Sequence, residues 1–216
     1  MTNLIACRPG CYDLPLEEAM KELGQLGVEG VECPAPKDND YEGVAGMAEK
    51  AGVKVSTLAL SGVCLEDPEH VARLERGIDG AARIGTPLIF LSSKVKQGRP
   101  EDGIPVLKRM GDKAVEKGVV LSLETHPPYG ANGDQARKTI EAIGSRGVGY
   151  NFDTANIYYY NEPGIDTVEE LRKALDLVTS VHLKESARGE PRTMDFPVLG
   201  AGIVDFPRVF ALLGER

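Results

Sequence analysis

The sequence predicts an α/β protein, specifically a TIM (β/α)₈-type barrel, and two repeating patterns predict it. Apolar, β-rich runs alternate with amphipathic helical patterns along the 216 residues, which is typical of parallel strands covered by helices. A polar residue ends most of the runs, and a barrel gathers its strand ends around one mouth, where barrel active sites lie. A doubly wound sheet fits the same alternation, but no glycine-rich phosphate loop follows the first run.

Each run has the length and the aliphatic, β-branched content of a buried strand. The seven predicted strands are NLIAC (3–7), VEGVEC (28–33), VKVSTLAL (53–60), TPLIFLS (86–92), GVVLSLE (118–124), VGYNFD (148–153) and VTSVHLK (178–184). Several of the helical patterns between them end at a glycine directly before the next strand, as helix C-termini often do. These patterns are LEEAMKELGQLG, YEGVAGMAEKAG, PEHVARLERGIDGAARIG, PVLKRMGDKAVEKG, DQARKTIEAIGSRG and VEELRKALDLV.

The last segment, MDFPVLGAGIVDFPRVFALLGER, predicts a loop and a seventh helix, with no run for an eighth strand after it. Barrels of this type have about 250 residues. We therefore expect residues 1–216 to form a single barrel domain that is C-terminally short and lacks the eighth strand and helix. Truncation of a longer parent is the favoured explanation. An open barrel, or closure by a neighbouring subunit in a homo-oligomer, is the alternative, because unpaired strand edges promote association.

Charge and hydropathy narrow the classes of partner. The net charge of −8 and the pI near 5.0 argue against nucleic acid as the main partner, because phosphate binding needs a basic surface. No apolar stretch approaches the roughly 18 residues of a membrane span, so no membrane partner is expected. The first ten residues lack the basic and apolar regions of a signal peptide. We expect a cytoplasmic location.

Three residues with metal-ligand chemistry end consecutive strands. Glu124, Asp153 and His182 are each 29 residues from the next, which is one strand–helix unit, and adjacent strands lie about 4.8 Å apart. Two carboxylates and an imidazole suit Mn²⁺, Mg²⁺, Zn²⁺ or Fe²⁺, and three ligands leave coordination positions for water or substrate. The alternative is that each residue caps a strand or pairs with a lysine such as Lys184.

Four segments carry a resemblance to a known family. They are LSLETHPP (121–128), YNFDTAN (150–156), SVHLKES (180–186) and PVLGAGIVDFPRVFALL (197–213). In this order and spacing they resemble the xylose isomerase-like TIM barrels, a sugar phosphate isomerase/epimerase superfamily that also includes endonuclease IV. The resemblance extends over essentially the whole chain.

The resemblance implies a metal-dependent reaction on a sugar or polyol. It implies that Glu124, Asp153 and His182 bind a divalent metal, and that Glu124 moves a proton through a metal-stabilised enediolate. The family's further ligand, a glutamate that ends strand eight and is the second proton-transfer group of the epimerases, has no counterpart here. The expected activity is that of a sugar isomerase or epimerase.

Five further residues are predicted to serve the site, each with an alternative role. Lys184 is a candidate catalytic cation that neutralises an oxyanion, or else part of a salt bridge. His126 and Asn156 are candidates for substrate hydroxyl contacts, although His126 also suits an orienting role. Glu32 is either substrate-facing or structural, and Arg8 either binds a substrate anion or is solvated.

The region after the sixth strand carries three tyrosines, at 158–160. Tyrosines stack well on sugar rings because they offer an apolar face and a hydroxyl. We expect them to cover the site, and packing against a neighbouring subunit is the alternative.

Three other functions stay open. A non-catalytic, metabolite-binding barrel is favoured by the missing strand-eight glutamate and opposed by the three intact candidate ligands. An inosose dehydratase-type lyase uses the same enediolate chemistry. An endonuclease IV-like DNA-repair enzyme needs a basic groove and more histidines than the three in this chain.

Overall fold

The predicted alternation of strands and helices is confirmed by a computed structural model, which describes residues 3–215. The strands in this range are β1 (Ala6–Cys7), β2 (Gly30–Pro34), β3 (Lys54–Cys64), β4 (Leu88–Lys94), β5 (Val120–Glu124), β6 (Val148–Asp153) and β7 (Val178–His182). The helices are α1 (Leu16–Gln25), α2 (Tyr41–Ala51), α3 (Pro68–Arg83), α4 (Ile104–Glu116), α5 (Gly133–Ile143), α6 (Asn156–Tyr160), α7 (Thr167–Ala174) and α8 (Phe206–Leu213). Short 3₁₀ turns occupy Pro9–Cys11, Pro100–Gly103 and Leu175–Leu177.

The strands form one parallel sheet in sequential order from β1 to β7. A sequential order is that of a barrel, so the barrel prediction is confirmed and the doubly wound alternative is excluded. Between residues 3 and 215 no eighth strand joins β7 to β1, and the sheet is therefore a curled, incomplete barrel. All its strand ends point to the same side, which forms the mouth.

β1 and β3 differ most in length from the prediction, with 2 and 11 residues against the predicted five and eight, and β2, β5 and β7 are one or two residues shorter than predicted. β1 pairs with β2 through Ala6 and Cys7 alone, so it is shorter than the predicted run 3–7. β3 continues beyond the predicted end at residue 60, because a register irregularity after Leu60 carries the chain past Gly62 before pairing with β4 resumes. Gly62 has a φ of 67°, a left-handed conformation that glycine adopts at little cost.

Apolar residues of the strands and helices form two buried clusters. The larger one includes Leu58, Ile89 and Leu121 of the sheet and packs against the helices from α3 onward. The smaller one joins α1, α2 and β2, with Met20 and Val31 at its centre. Full burial of one such side chain contributes about 1.5–3 kcal/mol. This packing fixes the sheet, and with it the positions of the strand ends.

Local sequence signals define many of the helix ends. The side chains of Asp67, Asn132 and Asp166 accept backbone N–H hydrogen bonds at the first turns of α3, α5 and α7, which satisfies otherwise unpaired donors. Gly52 and Gly144 end α2 and α5 in the left-handed conformation. The longest helix, α3, has 16 residues. No helix in the described part of the chain has the length and apolarity to cross a bilayer.

Candidate functional site

Strands β5, β6 and β7 bring the three candidate ligands to the mouth. Asp153 and His182 are register partners on neighbouring strands, so their side chains lie side by side. Glu124 pairs with Asn151, two residues before Asp153. Because residues two apart on a strand face the same side, Glu124 and Asp153 also share a face of the sheet.

Asp153 is buried and held by the turn that follows it. Its Oδ1 accepts hydrogen bonds from the backbone N–H groups of Ala155 at 3.0 Å and Asn156 at 2.8 Å. Its Oδ2 lies 3.9 Å from Nδ1 of His182 and 3.6 Å from Nζ of Lys184. One carboxylate oxygen is thus fixed by the backbone, and the other faces the mouth.

His182 is oriented by a carboxylate from the far side of the sheet. Its Nε2 lies 3.1 Å from Oε2 of Glu32, and its ring centroid is 4.8 Å from that of Phe90. A carboxylate accepts hydrogen bonds, so Nε2 carries the hydrogen. When the ring is neutral, Nδ1 carries its lone pair, on the side of Asp153. Such a carboxylate–histidine pair is how proteins commonly orient a metal-binding imidazole.

Glu32 also contacts the guanidinium of Arg8, which donates from Nε to Oε1 at 2.7 Å and makes a further contact through Nη2. The guanidinium carbon of Arg8 lies 5.0 Å from the centroid of the Phe90 ring. Burial alone would raise the pKa of Glu32, but the hydrogen bond and charge of His182, together with Arg8, outweigh it and lower that pKa. Glu32 is therefore an ionised, buried carboxylate on β2 that contacts Arg8, which follows β1, and His182, which ends β7.

Lys184 and Asn156 contact each other, and Lys184 also pairs with Asp153. The Lys184 ammonium donates to Oδ1 of Asn156 at 2.6 Å and stands 4.2 Å from the centroid of the Phe196 ring. The Asn156 amide donates to the Thr125 carbonyl at 3.0 Å, so both polar ends of this buried side chain contact protein. The salt bridge expected as the alternative role for Lys184 is present, because its ammonium pairs with the Asp153 carboxylate.

Glu124 differs from Asp153 and His182 because its half-buried side chain has no hydrogen-bond or ion-pair partner in the range 3–215. It lies close to Tyr160, whose pKa is raised to about 12 by burial and by the charges of Glu124, Tyr159 and Asp153. The Tyr160 ring packs edge-on against His126, with centroids 4.8 Å apart.

The donor set fits a divalent cation in its chemistry. Asp153 and Glu124 supply carboxylate oxygens, and His182 supplies an imidazole nitrogen with its lone pair available. A half-buried carboxylate without a partner favours a bound cation, because a charge removed from water is stabilised when it is paired or coordinates a metal. No group of three or more histidine, cysteine, aspartate or glutamate side chains among the described residues is already assembled around one point. The ammonium of Lys184 supplies a positive charge beside Asp153.

The structure connects six of the predicted residues through direct contacts: Arg8, Glu32, Asp153, Asn156, His182 and Lys184. The other two, Glu124 and His126, meet at Tyr160, so the tyrosine segment does adjoin the site. The roles of all eight residues stay predictions.

Sequence reasoning missed two supporting residues. Thr125 is buried, and its hydroxyl accepts the Asp153 backbone N–H at 2.9 Å while contacting the Tyr150 hydroxyl at 2.9 Å. Glu185 is also buried and holds the loop that follows β7. The signal for Thr125 is a polar residue between two candidate site residues, Glu124 and His126. The signal for Glu185 is a glutamate directly after a strand-end lysine.

Comparison with known proteins assigns this architecture to a family. The family model described as xylose isomerase-like TIM barrel matches residues 20–216, which is most of the chain. The chain belongs to this family. The resemblance drawn from the four sequence segments is thereby confirmed. No curated protein matches the sequence significantly.

Three solved structures share the fold of this family member over nearly its whole length. A xylose isomerase domain protein from Planctomyces limnophilus is 22% identical, with a TM-score of 0.77 and coverage of 98% of this chain and 86% of that one. A xylose isomerase-like TIM barrel protein from Mycobacterium smegmatis, solved in complex with magnesium, is 20% identical (TM-score 0.80, coverage 98% and 86%). An L-ribulose 3-epimerase is 18% identical (TM-score 0.77, coverage 98% and 77%).

Proposed function

We propose that this chain is a divalent-metal-dependent isomerase or epimerase of a sugar or polyol. The observation that carries the proposal is the uncommitted carboxylate of Glu124 on the same sheet face as the register pair Asp153 and His182. The L-ribulose 3-epimerase among the structural neighbours supports a sugar substrate. The magnesium in the Mycobacterium smegmatis protein supports a divalent metal.

Glu124, Asp153 and His182 are the residues that would hold the metal, with Mn²⁺, Mg²⁺, Zn²⁺ or Fe²⁺ as candidates. When bound, a divalent cation supplies positive charge beside the oxygens on which negative charge develops. Glu32 would orient the metal-binding histidine and would not bind the metal itself. Its hydrogen bond to Nε2 leaves Nδ1 of His182 as the nitrogen that would bind the metal. His182 and, to a smaller extent, Arg8 hold the pKa of Glu32 below its ordinary value.

Proton transfer is assigned to Glu124. A carboxylate with no competing hydrogen bond is ready to accept the hydrogen of a substrate carbon next to a carbonyl, and then to return it. Return of the proton by Glu124 to the adjacent carbon, on the same face, gives an isomer. An epimer requires delivery to the original carbon from the opposite face, by a second proton donor other than Glu124. Lys184 places its ammonium beside the site and stabilises the developing oxyanion.

Substrate positioning falls to the residues around this centre. His126 and Tyr160 form an edge-on aromatic pair that offers an apolar face and two polar ends to a sugar ring. Asn156 and Arg8 are the further candidates for polar contact with substrate. The cytoplasmic location and the homo-oligomer are parts of this proposal that rest on the sequence.

A non-catalytic, metabolite-binding barrel is the second candidate function. In that case Glu124, Asp153 and His182 would hold a metal or metabolite at the mouth without moving a proton. In the enzyme, by contrast, a single carboxylate exchanges a carbon-bound proton with solvent. Exchange therefore separates the two candidates even where net conversion is slow.

The test is hydrogen exchange from ketoses and inososes in D₂O, followed by NMR with Mn²⁺ or Mg²⁺ present. We expect deuterium to enter the carbon next to the carbonyl in the wild-type chain, and Glu124→Gln to slow it by about 10²-fold or more. Glu116→Gln is the matched control, because Glu116 is exposed at the end of α4 and away from the mouth. Exchange at the wild-type rate in Glu124→Gln would contradict the proposal. Substrate binding without exchange would support the binding barrel.

A further inference from the structure

A cavity of about 440 Å³ opens beside the candidate site. Glu32 and Arg8 line it as well as contacting the site, so the two spaces adjoin. The remaining walls come mainly from the loop after β2, from residues 59–61 of β3 and from α3. Its volume is within the range of small-molecule pockets.

The cavity is cationic although the chain as a whole carries a net charge of −8. Its charged lining residues are Arg8, Lys37, Arg73 and Arg76 against Glu32 and Glu69. Two of these cations are neutralised within the lining. Arg8 pairs with Glu32, and Arg76 donates to Glu69 at 2.8 Å. Arg73 and Lys37 remain as the excess positive charge.

Arg73 has hydrogen-bonding capacity that the protein does not use. Its Nη2 donates to the Ser61 carbonyl at 2.8 Å, which fixes the guanidinium at the cavity wall. Its Nε is fully buried, and within the described residues it has no hydrogen-bond partner. Apart from the Ser61 contact, the guanidinium forms no hydrogen bond with residues 3–215, so its N–H groups that are not buried can donate to an acceptor on a ligand in the cavity.

Lys37 also lines this cavity, from the exposed loop after β2. Its ammonium forms no hydrogen bond and no ion pair with the rest of residues 3–215. A rigid guanidinium with an unsatisfied N–H and a mobile ammonium together match an oxyanion with several oxygens, such as phosphate or carboxylate.

We propose that this cavity binds the anionic group of the sugar substrate, a phosphate or a carboxylate, with Arg73 as the fixed contact and Lys37 as the mobile one. This inference rests on the proposed function, because it assigns the substrate's reacting carbons to the neighbouring site at Glu124. It makes the preferred substrate an anionic sugar rather than a neutral one.

The test is isothermal titration calorimetry of the 216-residue chain with four probes. They are inorganic phosphate, a ketopentose 5-phosphate, the neutral ketopentose and an aldonate. We expect one of the charged sugars to bind at least about tenfold more tightly than the neutral one, which is the effect of one charge-assisted contact. Comparing the phosphate and aldonate arms identifies which oxyanion the cavity takes. Binding should weaken as ionic strength rises.

Arg73→Gln should weaken binding of the preferred charged probe about tenfold and leave the neutral ketopentose unaffected. Lys37→Gln, at an exposed position that cannot disturb the core, should weaken it by a smaller factor. Arg83→Gln is the matched control, on the same helix but outside the cavity. Unchanged affinity in both test variants would overturn the inference.

The outcomes also separate this inference from the proposed function. If the neutral ketopentose binds as tightly as the charged sugars, the anion site is wrong and the sugar site stands. If inorganic phosphate binds through Arg73 but no sugar binds, the anion site stands and the proposed function fails, so the ligand is not a sugar.

Discussion

Glu185 holds the loop after β7 against the barrel, and its removal gives the sharpest test of the structure itself. Glu185 is 1% exposed, and its carboxylate accepts backbone N–H hydrogen bonds from Ser186 at 3.0 Å, Gly200 at 2.9 Å and Val204 at 3.0 Å. A hydrogen bond to a charged group contributes about 1.5–3 kcal/mol. At the lower value, Glu185→Ala should reduce the free energy of unfolding by about 4–5 kcal/mol. Glu185→Gln, which keeps the shape, should reduce it by about 2 kcal/mol.

The effect depends on pH with a defined sign. Burial raises the pKa of Glu185, but the N–H groups of Val204, Ser186, Gly200 and Gly202 outweigh it and lower that pKa below the ordinary value. A carboxyl whose pKa is lowered on folding stabilises the protein above its unfolded pKa of about 4.3, and this stability is lost as pH falls through the folded pKa. The difference between wild type and Glu185→Gln should therefore be complete at pH 7 and shrink below about pH 4.

Urea unfolding at pH 7 and pH 3 measures the global effect, and trypsin digestion measures the local one. Arg188 and Arg192 lie in the loop that Glu185 holds and are exposed, so cleavage there should accelerate in both variants. Glu190→Ala is the matched control, since Glu190 is exposed on the same loop. Wild-type stability and cleavage in Glu185→Ala would refute the role given to these three hydrogen bonds.

Two further predictions concern packing and the buried support of Asp153. A Cβ at Gly24 would lie 2.0 Å from the Ala51 carbonyl oxygen, so Gly24→Ala should destabilise the fold by about 1–3 kcal/mol in urea unfolding. Gly46→Ala, on α2 with nothing within 4 Å of the added carbon, should stabilise the fold by about 0.5–1 kcal/mol. If both substitutions changed the free energy of unfolding in the same direction, the packing of α1 against α2 would be contradicted. Thr125→Val leaves the Asp153 N–H without its acceptor and should cost about 1–3 kcal/mol, whereas Thr125→Ser should recover most of it.

The sequence predicts the order of strands and the side-by-side position of Asp153 and His182, because both follow from the alternation of elements and the fixed spacing of parallel strands. The contact of His182 with Glu32 spans 150 residues and depends on how tightly the sheet curls, which periodicity does not encode. Glu185 reads in sequence as a solvated loop carboxylate, because only the folded loop brings the N–H groups of residues 200–204 back to it.

The ends of the strands were the least predictable parts of the sheet. β3 runs past Ser61 to Cys64, because Gly62 lets the chain bend and resume pairing, and a Ser-Gly pair in sequence reads as a strand end. The sequence alone also does not show whether the Glu124 carboxylate is paired, because its partners depend on side chains brought near it by the fold.

Metal content of the purified chain, with and without added Mn²⁺, tests the central claim most directly. We predict about one metal ion per chain in the wild type and loss of that ion in His182→Ala, which removes a ligand nitrogen from beside Asp153. Glu116→Gln should keep the wild-type content. A chain that takes up no metal at any Mn²⁺ concentration, or a His182→Ala variant that keeps it, would contradict a metal site at Glu124, Asp153 and His182.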